Sequence, residues 1–335
     1  MKGSLVQEEM TSVALKGNAL RDPAVRALRV YLPPGYSAEG RRYPTAYFLH
    51  PFLSSGASWV QASAFSNTVP ERLDGLIERG EVPPLIAVFP DGATRLGGTQ
   101  WNNSPSMGRY QDYVANDVVG WVDGHYRATP TPEARAVLGR SSGGYGALLM
   151  GRDRPDVFGH LAANAADSFF EYCYLPDFPK AAASFYKLGG YEPWYADFLE
   201  RVYRTKMRSE DPTTLNILAM AAAYSPNATA PLGLDLPFEA GSARIREEIF
   251  DRWKCEDPVR FAHTHAPAFK KLQTVFLDCG SRDEFNLRWG IRMVADQLKS
   301  EGVTVLHEEF DDGHSGTNYR FDRALTVLGP RLAMA

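Results

Sequence analysis

A short run of glycine and serine at residues 139–143 separates a strand-like segment from a helix-like one. The apolar residues 134–138 come directly before it, and the helix-forming residues 147–150 follow it. A strand that turns this sharply into a helix strains its turn residue, and flanking glycines remove the side chains that would clash there. The pattern G-x-S-x-G in this context predicts that the hydroxyl of Ser141 is exposed at the carboxyl end of a sheet. Ser142 is out of register for that position.

Strand-like and helix-like segments alternate on both sides of this turn. Helical spacing of apolar residues occurs at residues 70–79, 110–126 and 286–300, and from about residue 315. Short apolar runs bounded by proline or glycine, typical of buried parallel strands, occur at residues 25–32, 43–50, 85–90, 134–138, 272–279 and 303–310. The alternation predicts an α/β fold whose central sheet is mostly parallel and flanked by helices.

The alternation is interrupted after residue 164. Residues 165–205 contain twelve aromatic side chains, whereas the chain average of 12% predicts about five, and helical pieces continue to about residue 261. Because 335 residues exceed the roughly 250–300 at which single domains stop growing, one domain with an insertion fits better than two equal domains. We predict an α/β core formed by residues 1–165 and 270–335, and a helical, aromatic-rich cap formed by residues 166–269.

Composition argues against several kinds of partner. A net charge of −4 gives no electrostatic reason to expect binding to nucleic acid or to a membrane surface. No run approaches the roughly 18 apolar residues of a membrane helix, and the first residues lack the apolar core of a secretory signal. Cys173, Cys255 and Cys279 are odd in number and far apart, which predicts free thiols and a cytoplasmic location.

A serine nucleophile needs a base, because its hydroxyl is essentially un-ionised at neutral pH. His314 lies in a loop just beyond the last predicted strand, and Asp283 lies in the loop beyond the strand at residues 272–279. The chain order Ser141, Asp283, His314 is the order that the α/β-hydrolase fold uses for its catalytic triad. Asp283 is the preferred partner for the histidine, and Glu284 is the neighbouring alternative.

An oxyanion hole needs two backbone N–H groups. The amide of Ser142 is one predicted donor, and the amide of Phe52, in the loop after the strand at residues 43–50, is the other. Pro51 has no N–H to donate. The side chain of His50 is predicted to anchor this loop rather than to take part in catalysis.

Aromatic and polar residues near the mouth of the site are expected to bind the substrate. The predicted substrate-binding residues are Trp101, Asn102, Phe169 and Tyr172. The alternative for the aromatic residues of the insertion is that they pack into a small core of their own. His263 and His265 would form a metal-binding pair only in a strand and with a third ligand, which is not in view, so neither a metal nor a cofactor is predicted.

Together these segments resemble the esterase D type of esterases. The resemblance covers about residues 12–165 and 270–325, and it is carried by residues 30–36 (VYLPPGY), His50-Pro51-Phe52, residues 139–144 (GRSSGG), Gly280-x-x-Asp283 and Gly313-His314. The group includes S-formylglutathione hydrolases, enterochelin esterases, feruloyl and acetylxylan esterases, and mycolyltransferases. The resemblance implies the α/β-hydrolase fold and a homodimer, and it assigns the triad and the oxyanion hole to the residues named above.

Two departures limit what this resemblance implies. The family usually has His-Gly where this chain has His50-Pro51, and the insertion after residue 165 is longer than the family's. The sequence therefore predicts a serine esterase that acts on a small-molecule ester through an acyl-enzyme intermediate, without naming the ester. An acyltransferase or an amidase or peptidase with the same triad remains an alternative, and a catalytically inactive binding protein of the same fold is a more distant one.

Overall fold

Ten strands and thirteen α-helices follow one another through residues 1–332, the part of the chain that the computed structural model describes. The strands are β1 (Ser4–Thr11), β2 (Val25–Leu32), β3 (Thr45–Leu49), β4 (Ile86–Pro90), β5 (Asn103–Ser104), β6 (Gly108–Arg109), β7 (Arg135–Arg140), β8 (His160–Asn164), β9 (Thr274–Gly280) and β10 (Val305–Phe310).

The helices alternate with the strands in the two ends of the chain and follow one another without strands between β8 and β9. They are α1 (Val69–Glu78), α2 (Tyr110–Asp112), α3 (Val119–His125), α4 (Ser142–Asp153), α5 (Phe170–Cys173), α6 (Phe178–Lys187), α7 (Tyr191–Val202), α8 (Asp211–Tyr224), α9 (Glu247–Cys255), α10 (Pro258–Thr264), α11 (Ala266–Phe269), α12 (Leu287–Ser300) and α13 (Arg320–Leu332). A π-helical segment, Tyr113–Val118, joins α2 to α3.

Eight of the strands form one sheet in the order β1-β2-β4-β3-β7-β8-β9-β10. The six strands β4, β3, β7, β8, β9 and β10 run parallel to one another, and β2 runs antiparallel to both of its neighbours, β1 and β4. The carboxyl ends of β3, β7, β8, β9 and β10 therefore lie along the same edge of the sheet. This confirms the predicted α/β fold with its mostly parallel sheet, and it defines the edge at which a site is expected.

The two faces of the sheet bury separate apolar cores. Helices α1 and α13 cover one face, where Phe48 packs against Phe321 and Trp59. The helical segment from α2 to α3, together with α4 and α12, covers the other face, and the apolar core there continues into the helices that lie between β8 and β9. Both faces of β3, β4, β7, β8 and β9 are consequently buried, as in other parallel sheets.

The sequence placed β2 at its observed bounds and most other elements within a few residues. Two strands of the eight-stranded sheet, β1 and β8, were not predicted, and neither were the two-residue strands β5 and β6. Strand β1 is an antiparallel edge strand whose exposed residues give no apolar run, and β8 is a short strand rich in alanine. His263 and His265, considered above as a pair in a strand, instead lie in α10 and just after it, because Asp257 caps this helix by accepting the backbone amide of Val259 at 3.0 Å.

Helices α5 to α11 occupy most of the segment predicted to form a cap. Their aromatic side chains pack largely on one another: the ring of Phe178 lies against those of Phe238, Phe250 and Trp253. The division of the chain at residues 166 and 269 stays a prediction. Within residues 1–332, no helix combines the length and the apolar character needed to span a membrane.

Candidate active site

A cavity of about 290 Å³ opens at the carboxyl edge of the parallel strands. Its lining includes Ser141 and His314, which follow β7 and β10, and Pro51 and Phe52, which follow β3. The helices between β8 and β9 close the other side of the cavity. Residues far apart in the sequence meet here because neighbouring parallel strands all end at this edge.

Ser141 occupies the sharp turn between β7 and α4. Its backbone has φ 56° and ψ −125°, a conformation that is strained for any residue except glycine. Two backbone hydrogen bonds hold this conformation. The amide of Ser141 donates to the carbonyl oxygen of Asn164 at 3.0 Å, and the carbonyl oxygen of Ser141 accepts from the amide of Tyr145 at 2.8 Å. The turn thereby directs the side chain of Ser141 into the cavity.

The glycines on each side of Ser141 are required by space. A Cβ atom at Gly139 would overlap the carbonyl group of Gly143, and a Cβ atom at Gly143 would overlap the carbonyl oxygen of Leu49 in β3. Because these neighbours are backbone atoms, no rotation of a side chain could relieve either overlap. The sequence pattern thus reflects how closely the start of α4 approaches the sheet.

His314 and Asp283 are in direct contact. The ring Nδ1 of His314 lies 2.8 Å from Oδ2 of Asp283, and both side chains are almost fully buried. The other oxygen of Asp283 accepts the backbone amide of Phe285 at 2.9 Å, and the thiol of Cys279 lies 3.6 Å from Oδ2. With Asp283 as its acceptor, Nδ1 carries the proton and Nε2 of His314 is left as a lone-pair acceptor.

The ring of His314 faces the cavity beside an aromatic side chain. Phe285, half exposed, packs edge-on against the ring with 4.8 Å between the ring centroids. Glu284, the alternative to Asp283, contacts the backbone of His314 and does not reach its ring. Of the two acidic residues considered from the sequence, only Asp283 is placed to orient the imidazole.

The loop after β3 is anchored by His50. Its Nε2 accepts the backbone amide of Gly92 at 2.9 Å, so the proton is on Nδ1, which lies 2.9 Å from the carbonyl oxygen of Pro51. Burial lowers the pKa of His50, which keeps the ring neutral, as one donor and one acceptor nitrogen require. The structure therefore gives His50 the anchoring position that the sequence predicted.

The two amides predicted for the oxyanion hole have no partner in the described structure. Within residues 1–332, neither the amide of Phe52 nor that of Ser142 donates a hydrogen bond, whereas the next amide, of Leu53, donates to Gly97 at 2.9 Å. Phe52 lines the cavity, and Ser142 is the first residue of α4, where the helix dipole favours negative charge. Both amides are free to bind an oxygen atom.

Asp167, three residues beyond β8, contacts Ser141 directly. The hydroxyl of Ser141 donates to Oδ1 of Asp167 at 3.3 Å, while Oδ2 accepts from the hydroxyl of Tyr174 at 2.7 Å and from the side-chain amide of Gln100 at 3.1 Å. Burial raises the pKa of Asp167, and the hydrogen bonds and the nearby His314 oppose that rise. Nε2 of His314 forms no hydrogen bond to any residue that the structure describes.

None of the four residues predicted to bind substrate lines the cavity. Trp101 is fully buried beneath it and donates from Nε1 to the carbonyl oxygen of His50 at 3.1 Å, and Asn102 donates to the carbonyl oxygen of Ala223 at 3.0 Å. The backbone amide of Phe169 is held by Asp257, and the ring of Phe169 packs against that of Tyr172 outside the cavity. Of these four, Asn102 connects the core to the helices between β8 and β9.

The insertion lines the cavity with other residues, which the sequence analysis did not select. They are Asp167, Cys173, Tyr174, Asp177, Pro212, Thr213 and Asn216. Tyr174 was counted among the aromatic residues of this segment but not distinguished from its neighbours. A polar residue soon after the strand that follows Ser141 is a signal that could have identified Asp167, had β8 been recognised.

Cysteine thiols and candidate metal ligands are the other reactive groups to consider. Cys173, Cys255 and Cys279 are all unpaired, and burial raises the pKa of the Cys173 and Cys279 thiols. No group of three histidine, cysteine or carboxylate side chains among the described residues is arranged to hold a metal ion. Ser141, His314 and Asp167 are among the polar residues that line the cavity.

Comparison with known proteins places this architecture among esterases. Residues 23–326 match the model of the family described as Putative esterase. Uncharacterized protein YbbA of Bacillus subtilis (strain 168) is 23% identical over 182 residues, which cover 51% of this chain and 63% of that protein. Esterase Rv1288 of Mycobacterium tuberculosis (strain ATCC 25618 / H37Rv) is 26% identical over 146 residues, which cover 42% and 28%. The matched regions thus span less than two thirds of each of these relatives.

Solved structures with the same fold match almost the whole chain. A ferulic acid esterase has a TM-score of 0.64 at 17% identity, covering 98% of both chains. An S-formylglutathione hydrolase from Agrobacterium tumefaciens has a TM-score of 0.61 at 16% identity, covering 99% of this chain and 96% of that one. FphF of Staphylococcus aureus, described as a fluorophosphonate-binding serine hydrolase, has a TM-score of 0.58 at 14% identity, covering 97% and 98%. At these identities the likeness establishes the fold, which is that of α/β-hydrolase-type esterases.

Proposed function

The chain belongs to the Putative esterase family, and on that premise we propose that it hydrolyses a carboxylic ester with Ser141 as the nucleophile. His314 is the general base and acid, and Asp283 orients its imidazole. The contact of 2.8 Å between Asp283 and His314, in a cavity that Ser141 also lines, is the observation that carries this proposal. The proposed base, its orienting partner and the proposed nucleophile thereby lie at the same edge of one sheet.

Formation of the acyl-enzyme begins when the hydroxyl of Ser141 turns from Asp167 to Nε2 of His314. Ser141 Oγ attacks the ester carbonyl carbon while its proton passes to Nε2. The carbonyl oxygen becomes an oxyanion that the amides of Phe52 and Ser142 stabilise. As this intermediate collapses, the bond to the alcohol oxygen breaks, and the imidazolium gives its proton to that oxygen.

Hydrolysis of the acyl-enzyme repeats these steps with water. Nε2 of His314 takes a proton from water as the water oxygen attacks the acyl carbon, and the same proton is returned to Ser141 Oγ as the ester bond to the enzyme breaks. Throughout, Asp283 stabilises the charged imidazolium that forms twice in each turnover. The products are the carboxylic acid and the alcohol.

A fluorophosphonate probe tests the assignment, because it phosphonylates an activated serine and spares unactivated ones. We expect the wild-type protein to be labelled on the peptide that contains Ser141, and Ser141→Ala to lose the label. Ser142→Ala is the matched control, since it removes the adjacent hydroxyl but keeps the backbone amide, and it should still be labelled. Absence of labelling in the wild-type protein, or equal labelling of Ser141→Ala, would refute the proposal and favour a binding protein of the same fold.

A further inference from the structure

The carboxylate of Asp167 is held so that one of its oxygens faces the nucleophile. Oδ2 already accepts two hydrogen bonds, from Tyr174 and Gln100. Oδ1 accepts only from the hydroxyl of Ser141, and within residues 1–332 no lysine or arginine forms an ion pair with Asp167. The side chain is 7% exposed and lines the cavity, so Oδ1 can be reached only from inside it.

The proposed reaction removes the hydrogen bond on which Oδ1 depends. When Ser141 donates to His314 and then becomes acylated, it has no proton left for Asp167. A buried carboxylate oxygen that loses its donor is destabilised, because neither water nor another residue solvates it fully. A substrate that brings a donor of its own removes this cost, and a substrate without one does not.

We propose that Asp167 accepts a hydrogen bond from a hydroxyl or ammonium group on the acyl part of the substrate, in exchange for the bond that Ser141 gives up. This inference rests on the proposed function. The acyl part is favoured over the alcohol part because the acyl carbon is bonded to Ser141 Oγ, the atom next to Oδ1. A donor on the first or second carbon beyond the carbonyl therefore lies nearest to Asp167.

Three matched substrates distinguish the effect of a hydrogen-bond donor on kcat/KM from the effects of size and polarity. They are the p-nitrophenyl esters of butyrate, 3-hydroxybutyrate and 3-methoxybutyrate; the methoxy group keeps the oxygen but cannot donate. We expect the wild-type kcat/KM for the hydroxylated ester to exceed both others by roughly 10- to 100-fold, the effect of pairing a buried acceptor that is otherwise left unpaired. This comparison needs no variant.

Asp167→Asn tests the same idea from the side of the enzyme. Tyr174 and Gln100 both donate at the position of Oδ2, so the amide oxygen of asparagine should remain there and its NH₂ should face Ser141. We expect this donor to abolish the preference for 3-hydroxybutyrate over the methoxy ester, because the hydroxyl oxygen and the methoxy oxygen can both accept from it. Asp22→Asn is the matched control: Asp22 is another buried carboxylate, it accepts the amide of Arg95 at 3.2 Å, and it does not line the cavity.

The outcomes distinguish this inference from the proposed function. If the wild-type protein hydrolyses the three esters with equal kcat/KM, or if Asp167→Asn keeps the wild-type ratio, the inference is wrong and the esterase assignment stands. If the wild-type protein hydrolyses none of the three and is not labelled by a fluorophosphonate, the proposed function fails and the inference fails with it. If Asp167→Asn does not fold, the wild-type ratio alone decides.

Discussion

The carboxylate of Glu284 accepts the backbone amide of His314 at 2.8 Å. Adjacent acidic residues thus hold the same histidine in two ways, with Asp283 at the ring and Glu284 at the main chain. The first contact affects the proton on Nδ1, and the second fixes the loop that carries the ring. Their replacement should therefore have different consequences.

We expect Asp283→Asn to lower kcat on the order of 10⁴-fold, because an amide in place of the carboxylate favours the wrong tautomer of the imidazole and cannot stabilise its charged form. Glu284→Gln keeps an oxygen that can accept the amide of His314, and we expect it to lower kcat by less than about tenfold. Steady-state kinetics on one activated ester measures both. Similar losses in the two variants would contradict separate roles for these residues.

The close approach of α4 to β3 makes a prediction about stability. We expect Gly143→Ala to prevent folding or to lower the free energy of unfolding by more than about 3 kcal/mol, because the added Cβ overlaps the carbonyl oxygen of Leu49. Gly120→Ala is the matched control, since this exposed helical glycine has nothing within 4 Å of an added Cβ. It should raise stability by about 0.5–1 kcal/mol. Urea denaturation measures both, and equal effects would contradict this account of the turn.

We expect replacement of His50 to lower the free energy of unfolding, although His50 takes no direct part in the proposed reaction. His50→Ala leaves the buried amide of Gly92 unpaired, which costs about 1–3 kcal/mol in the free energy of unfolding, and it also removes the ring that packs on Trp101. His263→Ala is a suitable control, because His263 is largely exposed and its ion-pair partner among residues 1–332 is Glu301, and its effect should be within about 1 kcal/mol. Chemical denaturation of the two variants distinguishes them. An effect of His50→Ala no larger than that of the control would contradict the anchoring role.

Asp257 makes stability depend on pH in a direction that can be worked out. It accepts the amides of Phe169, Phe170 and Val259, but burial dominates and raises its pKa from 3.8 to about 6. Between these two values the folded chain holds a proton that the unfolded chain has lost. The contribution of Asp257 to stability is therefore largest at low pH and falls as pH rises through about 6.

Asp257→Asn removes this titration and should also cost about 1–3 kcal/mol, because an amide cannot accept all three backbone bonds. We expect the difference in the free energy of unfolding, wild type minus variant, to decrease as the pH is raised from about 4 to about 6 and to be constant above about 7. Urea denaturation across this range measures the difference. A difference that increases with pH would show that the pKa of Asp257 is lowered on folding, and the predicted direction of the shift would be wrong.

The sequence predicted the sheet and the edge at which the site lies because both depend on local patterns. Ser141, Asp283 and His314 each follow a strand whose apolar run is visible in the sequence, and parallel strands bring such positions together. The anchoring role of His50 followed from its place at the end of β3. The preference for Asp283 over Glu284 agrees with the ring contact, although no sequence pattern indicated that Glu284 holds the main chain.

The wall of the cavity depends on packing between segments that no local pattern encodes. Trp101 and Phe169 were selected as aromatic residues near the mouth, but one is fully buried under His50 and the other packs beside Tyr172. Asp167 was missed because β8 is only five residues long and begins and ends with a polar residue, so it gives no apolar run typical of a strand. Which aromatic residue of the insertion reaches the cavity, here Tyr174, is decided by how its helices pack.

Because the chain leaves β8 by way of Asp167, the helical segment between β8 and β9 begins beside Ser141 rather than at a distance from it. Replacing this helical segment from that junction onward would exchange the immediate neighbour of Ser141 together with the residues that close the cavity. Changes in this segment and changes in the surroundings of Ser141 are thus not separable. Under the proposed function, replacing this segment would be expected to alter both which ester is accepted and how fast Ser141 reacts.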